Sequence, residues 1–310
     1  MAVEPPRPWP AVVGPTASGK TEAGLAIAER LGAEILSVDS MLVYRGMDVG
    51  TAKPTPDERA RVPHHLLDVA GPGESFSVSA FQALAREALV DMAARAVGVL
   101  VVGGSGLYFR AVVDGLAFPP TDPATRRELE RQAEALGPDR LYERLATSDP
   151  EAAARIEPEN VRRTVRALEV AAVTGRPFSS FAADWERYPP DAVRPAGVDM
   201  DPAALGERIR TRVQAMVEGG LLDEVRALLD EGAGPSLTSG QAIGYAEVIE
   251  HLAGRLSLDE AVARTVKRTR ALARRQLAWF RRDPRIRWFR AGPDGAAGIV
   301  DELTEYLRDG

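Results

Sequence analysis

The residues best suited to chemistry stand near the start of the chain, where residues 14–21 match the phosphate-binding loop pattern G-x-x-x-x-G-K-[ST]. An apolar run at 11–13 precedes them and a helical pattern at 21–31 follows. In such a loop, backbone N–H groups surround a di- or triphosphate, and the following helix adds the positive end of its dipole. We expect Lys20 to reach the terminal phosphates and the Thr21 hydroxyl to hold a Mg²⁺ bound to them. The predicted phosphate-binding residues are Gly14, Pro15, Thr16, Ala17, Ser18, Gly19, Lys20 and Thr21.

A second polar group, Asp39, directly follows a segment at 33–38 that is predicted as the second strand. If that segment is a strand of an open α/β sheet, Asp39 lies at the edge where such folds bind ligands. A carboxylate in this place can ligate a metal, accept a proton or cap a turn. Its position alone supports the cap about as well as the proton acceptor.

Strand and helix patterns alternate around these two features. A helical pattern at 79–95 precedes a wholly apolar run at 97–102, which is typical of a buried parallel strand, and residues 103–106 form a glycine-rich turn. The alternation predicts an α/β fold, in which a P-loop NTPase-like parallel sheet has helices on both faces.

The segment from 116 to 195 breaks this alternation, because it is helical throughout and is bounded by proline pairs. We therefore predict a core domain formed by residues 1–115 and 196–310, with an all-helical insertion domain at 116–195. The rest of the core is predicted as a short strand near 197–200 and helices near 202–218, 221–231, 241–252 and 257–282.

The composition excludes several classes of site. The chain has no cysteine, so disulfides and cysteine-ligated zinc are excluded, and its three histidines lack metal-motif spacing. No apolar run approaches the ~18 residues that span a bilayer, and the first residues do not form an export signal. We expect a cytoplasmic, monomeric protein without membrane contact.

Charge is distributed unevenly. The formal net charge of −6 argues mildly against nucleic-acid binding, yet residues 264–290 contain eleven Lys or Arg and one acid, Asp283. Seven of these cations share one face of the predicted helix at 257–282, and we refer to them as the basic stripe: Arg264, Lys267, Arg268, Arg274, Arg275, Arg281 and Arg282. Such a stripe can neutralise several phosphates, although a solvated helix face remains the alternative.

A second arginine-rich helix is predicted in the insertion between Asn160 as N-cap and Gly175 as the C-terminal stop. Helical spacing places Val161, Val165, Leu168 and Ala172 inward and Arg162, Arg163 and Arg166 outward. The pattern alone supports an ordinary solvated face as well as a binding face.

These motifs together resemble the tRNA dimethylallyltransferases, also called tRNA isopentenyltransferases. The resemblance extends in order through most of the chain, over residues 14–21, 37–40, 44–48, 50–54, 63–68, 102–108, 163–169 and 241–245. Members of this family transfer a dimethylallyl group from its diphosphate to N6 of adenosine at position 37 of tRNA. Their substrates are the tRNAs that read codons beginning with U.

The resemblance implies roles that suit these residues. Lys20, the loop N–H groups and Mg²⁺ on Thr21 would stabilise the leaving diphosphate, where negative charge develops. Asp39 would take a proton from the adenine N6 as it attacks the donor carbon. Thr16 has a hydroxyl that can touch the reacting atoms, and Arg212 matches a family arginine that binds diphosphate.

The resemblance also implies a tRNA surface around the anticodon stem-loop. Because N6 is inside that loop, the base must be extruded, which is least costly in a single-stranded segment. The positions that match family contacts to tRNA are Asp39, Ser40, Met41, Leu42, Ser105, Arg126, Arg162, Arg163, Thr164, Val165, Arg166, Gln241, Ala242, Ile243, Gly244 and Tyr245.

Alternatives remain open, and two positions depart from the family pattern. A P-loop small-molecule kinase, or an isopentenyltransferase acting on free AMP or ATP, would share the phosphate loop without needing the basic stripe. An NTP-driven nucleic-acid-binding protein would need a strand ending in two acids, which the sequence lacks. Ala246 stands where relatives often have Lys or Arg, and Ser105 replaces a common threonine while keeping the hydroxyl.

Overall fold

The structure is a computed structural model that describes residues 4–181, 183–230 and 242–308. Within these residues the backbone divides into two compact units, one formed by residues up to 115 and from 188 onward, the other by residues 116–187. Residues 188–195, which we assigned to the insertion, belong to the first unit, because the strand that begins at Val193 pairs with the first strand of the sheet.

The first unit is built on a parallel sheet with six strands in the described residues. These strands are β1 (Trp9–Val13), β2 (Ala33–Ser37), β3 (His64–His65), β4 (Gly98–Gly103), β5 (Val193–Met200) and β6 (Arg287–Ala291), in the spatial order β3-β2-β4-β1-β5-β6. The register places Val13 beside Gly103, and Ser37 beside Val102. The segments that follow β1, β2 and β4 therefore leave the sheet at one edge.

Thirteen α-helices lie in the described residues. They are α1 (Lys20–Leu31), α2 (Pro56–Arg61), α3 (Val78–Ala94), α4 (Gly106–Val113), α5 (Pro123–Leu136), α6 (Pro138–Ser148), α7 (Pro150–Ala153), α8 (Val161–Thr174), α9 (Pro202–Glu218), α10 (Leu221–Asp230), α11 (Tyr245–Leu252), α12 (Leu258–Phe280) and α13 (Val300–Arg308). None of them is long and apolar enough to cross a membrane.

Helices cover both faces of the sheet, as the sequence predicted. Alternate residues of β1 belong to different apolar clusters: Ala11 and Val13 pack with side chains of α3 and α4, whereas Val12 packs with side chains of α1 and α9. Because successive strand residues point to opposite faces, this division shows two buried layers, one on each side of the sheet.

The second unit is entirely helical and has its own apolar core. Asn160 caps α8 by accepting a hydrogen bond from the Arg163 N–H at 3.2 Å, and Gly175 ends the helix with a φ of 69°. The buried side chains of the second unit include Leu129, Ala133, Leu141, Leu145, Val165 and Leu168. The inward assignment of Ala172 is wrong, since this residue is exposed at the last turn of α8.

Candidate active site in the first unit

A cavity of about 440 Å³ opens at the carboxyl edge of the sheet, and residues from several parts of the chain line it. Thr16, Lys20 and Thr21 come from the loop after β1 and the start of α1, Asp39 follows β2, and Ser105 follows β4. The parallel sheet brings these segments together because their strands end at the same edge. The predicted phosphate loop and the predicted carboxylate therefore face one space.

The phosphate loop is held by contacts far away in sequence. Arg208 of α9 donates a hydrogen bond to the Ala17 carbonyl at 2.8 Å, and the Ala296 N–H donates to the Ser18 carbonyl at 2.8 Å. Gly19 has a φ of +82°, and a Cβ there would lie 2.9 Å from the Ala296 nitrogen. Glycine is therefore required both by the left-handed backbone and by the close contact.

Lys20 is buried, and its ammonium donates to the Pro15 carbonyl at 3.2 Å. Burial lowers the pKa of the Lys20 ammonium to about 8; the carboxylate of Asp39 raises it and the guanidinium of Arg212 lowers it. A partly desolvated cation at the wall of the cavity is suited to binding an anion, because the attraction is weakly screened there. The geometry agrees with the phosphate-binding role predicted for Lys20.

The Asp39 carboxylate shapes its own loop as well as facing the cavity. Its Oδ1 accepts a hydrogen bond from the Met41 N–H at 2.9 Å, which is a turn-capping contact. The Ser105 hydroxyl accepts a hydrogen bond from the Ser40 N–H at 3.1 Å. The same hydroxyl donates to the hydroxyl oxygen of Ser40 at 3.3 Å. The structure therefore confirms the turn cap and places Asp39 at the cavity, while its role as proton acceptor stays a prediction.

Arg212 lines the same cavity from α9 and donates to the Thr51 carbonyl at 3.0 Å. Burial lowers the pKa of its guanidinium, and Asp39 opposes that effect. Lys20 and Arg212 thus present two cations to a cavity that also holds the Asp39 carboxylate. Two cations beside one carboxylate leave the site with an excess of positive charge, which suits a polyanionic ligand.

The side chains with oxygen atoms at the cavity fit a Mg²⁺ ion that is bound together with phosphates. Within the described parts of the chain, no group of three or more acidic or histidine side chains forms a metal cage. Mg²⁺ is commonly held by one or two protein oxygens and several phosphate or water oxygens instead. The Thr21 hydroxyl and the Asp39 carboxylate both line the cavity, and the buried Ser18 hydroxyl of the same loop has no protein partner.

Sequence reasoning missed Gln276, which joins the stripe-bearing helix α12 to the phosphate loop. Its Oε1 accepts a hydrogen bond from the Thr16 N–H at 2.8 Å, across 260 residues of sequence. Gln276 lines the cavity with Arg268 and Arg275 of the basic stripe. A single glutamine in a basic helix gives no sequence signal for this contact, because the partner is a backbone group.

The basic stripe is divided between two environments. Arg268 and Arg275 line the cavity, and Arg268 pairs with the buried carboxylate of Glu247. Arg264, Lys267 and Arg274 are exposed. Val266 and Phe280 of α12 are buried. The stripe therefore extends from solvent to the cavity.

The segment at 241–245 also contributes to the cavity, through Ala242, Ile243 and Tyr245. Gly244 begins α11, and its N–H donates to Glu247 at 2.8 Å. Gln241, a further predicted tRNA contact, lies outside the described residues.

The predicted tRNA contacts of the insertion lie in the second unit. Arg162 and Arg163 are exposed on α8, whereas Thr164 and Val165 are buried, so the side chains of these two cannot meet an RNA from their present positions. Arg166, which was assigned outward with Arg162 and Arg163, is only partly exposed.

Arg166 instead binds structural groups. It donates to Glu169 at 2.9 Å and to the carbonyls of Pro119 and Pro120 at 2.6 and 3.0 Å. Arg126 donates to the same Glu169 at 2.7 Å, so two cations share one carboxylate that has no exposed surface. A buried carboxylate requires such partners, so the Arg166 side chain is directed toward Glu169.

The sheet, the phosphate loop and the cavity together define an α/β protein of the P-loop class that can hold a polyphosphate beside a carboxylate. The model of the IPP transferase family matches residues 42–283. A tRNA dimethylallyltransferase of Streptomyces coelicolor is 50% identical over 293 residues, which are 94% of this chain and 93% of that protein. One from Nocardioides sp. is 50% identical over 311 residues, with full coverage of both. The chain belongs to the IPP transferase family.

Solved structures agree with this assignment. The tRNA isopentenylpyrophosphate transferase of Bacillus halodurans is 39% identical, with a TM-score of 0.66 and 96% of both chains covered. A eukaryotic dimethylallyltransferase, described as acting on tRNA, is 25% identical with a TM-score of 0.73, over 91% of this chain and 73% of that one.

Proposed function

We propose that the protein is a tRNA dimethylallyltransferase, which transfers the dimethylallyl group of dimethylallyl diphosphate to N6 of adenosine 37 in tRNAs that read codons beginning with U. The observation that carries this proposal is one cavity that holds Lys20 and Arg212 with the carboxylate of Asp39. The family assignment supports the same activity.

The reaction breaks the bond between the allylic carbon and the diphosphate oxygen and forms a bond from that carbon to N6. Negative charge develops on the leaving diphosphate, where Lys20, Arg212 and the loop N–H groups stabilise it. Asp39 accepts the proton that N6 loses. The hydroxyl of Thr16 would touch the reacting atoms, and Gln276 accepts a hydrogen bond from the Thr16 backbone N–H. A Mg²⁺ ion held by Thr21 would add positive charge beside the diphosphate oxygens.

The apolar part of the cavity suits the five-carbon group. Ile209, Val213 and Leu272 contribute apolar side chains to its lining. An apolar wall also limits access of water to an allylic cation, which water would otherwise consume. The cavity therefore has an anion-binding end and a hydrocarbon-binding wall.

We assign tRNA binding to the exposed cations, with the extruded adenine entering the cavity. In the second unit these are Arg162 and Arg163, and in the first they are the exposed members of the basic stripe, Arg264, Lys267, Arg274, Arg275, Arg281 and Arg282. The cavity-lining segment 39–42, Ser105 and 242–245 would meet the base and its neighbours. We also propose that the enzyme acts as a monomer, in the cytoplasm where its tRNA substrate would be found.

Labelled dimethylallyl diphosphate, incubated with the protein and bulk tRNA in the absence of ATP, tests the proposal. Digestion of the RNA should yield labelled N6-(dimethylallyl)adenosine from position 37. A parallel reaction with AMP or ATP as acceptor should yield no labelled nucleotide. Label on the free nucleotide alone, or transfer of phosphate from ATP to a small molecule, would replace this proposal by one of the two alternatives.

A further inference from the structure

One carboxylate, that of Glu224 in α10, accepts hydrogen bonds from three successive backbone N–H groups of the loop after Asp39. Its Oε2 accepts from Asp48 at 2.8 Å and from Val49 at 2.7 Å, and its Oε1 accepts from Gly50 at 3.1 Å. A row of N–H groups pointing at one place is a concavity that binds anions. Here the protein supplies the anion from its own chain.

Tyr245 completes this arrangement from α11. Its hydroxyl donates to Oε1 of Glu224 at 2.5 Å, and burial with this hydrogen bond raises the pKa of the Tyr245 phenol, so it remains a donor. The loop also lies against the Tyr245 ring, because a Cβ on Gly50 would lie 2.5 Å from a ring carbon. Three separate elements, the loop, α10 and α11, are thus joined at one carboxylate.

The residue that follows this row is Thr51, whose carbonyl accepts the hydrogen bond from Arg212 at 3.0 Å. Among the described residues, Arg212 donates one hydrogen bond, and its acceptor belongs to the loop that Glu224 holds. Gly50, Thr51 and Tyr245 line the cavity beside Arg212. A shift of the loop would therefore move the acceptor that orients the guanidinium.

We propose that Glu224 is a positioning residue for the diphosphate-binding cation Arg212, acting through the loop at 48–51. Glu224 does not line the cavity and does not touch the donor. It fixes three N–H groups, the loop fixes the Thr51 carbonyl, and that carbonyl fixes the guanidinium where the leaving diphosphate is bound. The inference rests on the proposed function, since it takes the donor to be a diphosphate.

The test is a double-mutant cycle of Glu224→Gln with Arg212→Met, read by calorimetric binding of inorganic diphosphate and by the KM of dimethylallyl diphosphate. Glutamine is similar in shape but presents an NH₂ group where an N–H must be accepted. We expect Glu224→Gln to weaken diphosphate binding about tenfold, and the double variant to bind no more weakly than Arg212→Met alone, because coupled residues are non-additive.

Asp223→Asn is the matched control, because it removes the same charge from the neighbouring position of α10. Asp223 is exposed and pairs with Arg226 at 2.7 Å, away from the loop. The Asp223→Asn variant should bind diphosphate with the same affinity as the wild type. Tyr245→Phe keeps the ring and removes one donor to Glu224, and it carries the same cycle if Glu224→Gln does not fold.

An additive cycle, with diphosphate affinity lost equally in the presence and absence of Arg212, would overturn the inference and leave Glu224 as a stabiliser of the loop. Unchanged diphosphate affinity in a folded Glu224→Gln would overturn it as well. A wild type that binds diphosphate but transfers no dimethylallyl group would instead count against the proposed function, so the two failures are distinct.

Discussion

The carboxylate of Asp39 raises the pKa of the Lys20 ammonium, against a burial that lowers the same pKa to about 8. The two residues follow different strands, β2 and β1, that are separated in the sheet by β4. Their opposite charges therefore interact across the cavity that both line. In the proposed reaction this interaction would couple Lys20, which binds the leaving diphosphate, to Asp39, which accepts the proton.

Replacement of Asp39 by asparagine should lower turnover by ~10²-fold or more, since the base for N6 is lost. Asparagine keeps an acceptor for the Met41 N–H, so the turn at 39–41 should persist. Because the variant also removes the charge that raises the pKa of Lys20, the assay is best run at about pH 6.5, where Lys20 stays protonated. Single-turnover rates measure the loss of the base, and tRNA affinity shows whether binding is kept. Near-normal turnover would contradict the assignment of Asp39 as the base.

The kcat/KM for the donor should fall as the pH rises through about 8, the value to which burial lowers the pKa of Lys20. Below this pH the ammonium is charged and attracts the diphosphate; above it the neutral amine does not. In Lys20→Arg the guanidinium stays charged over this range, so this fall should disappear even if the absolute rate is lower. An identical pH profile in the two proteins would show that another group causes the fall.

Much of this site is predictable from sequence because its parts are local. The phosphate loop depends on eight consecutive residues, and Asp39 directly follows a segment whose pattern predicts a strand. The cap at Asn160 and the stop at Gly175 gave the bounds of α8 for the same reason. Backbone conformation at such positions is decided by neighbours in sequence.

The remaining features depend on partners that only the tertiary fold supplies. Glu224 and Gln276 bind backbone N–H groups of segments that are far away in sequence, and a backbone donor leaves no residue-type signal. Arg166 has the spacing of a surface residue, but in the fold it donates a hydrogen bond to the buried carboxylate of Glu169. The strands β3 and β6 were not predicted, since β3 has only two residues and β6 is rich in arginine.

Removal of Mg²⁺ by excess chelator should stop dimethylallyl transfer, and restoring Mg²⁺ should restore it. Thr21→Ala should raise the Mg²⁺ concentration needed for half-maximal rate, because the hydroxyl ligand is lost. Thr147→Ala is a suitable control, as that exposed hydroxyl donates to the Glu143 carbonyl at 2.9 Å in the second unit and does not line the cavity. Full activity of the wild type in chelator would remove the metal from the proposal.

Arg163→Ala and Arg166→Ala should differ in kind although they are three residues apart on α8. Arg163 is exposed, so its loss should weaken tRNA binding and leave the melting temperature unchanged. Loss of Arg166 deprives Glu169 and two proline carbonyls of a donor, and we expect about 1–3 kcal/mol of lost stability. Thermal melts and filter binding separate the two, and a stable Arg166→Ala with weakened tRNA binding would restore its predicted role as an RNA contact.

Arg274→Ala and Arg275→Ala form a closely matched pair on α12, since both are exposed members of the basic stripe and only Arg275 lines the cavity. Each should reduce the slope of log affinity for tRNA against log salt by about one, because one phosphate contact is lost, and each should weaken all tRNAs alike. Only Arg275→Ala should also lower the single-turnover rate at saturating tRNA, since its guanidinium faces the space that the adenine enters. Unchanged affinity and slope in both variants would mean that the stripe is merely solvated, and an equal loss of rate in both would mean that the cavity does not distinguish the two arginines.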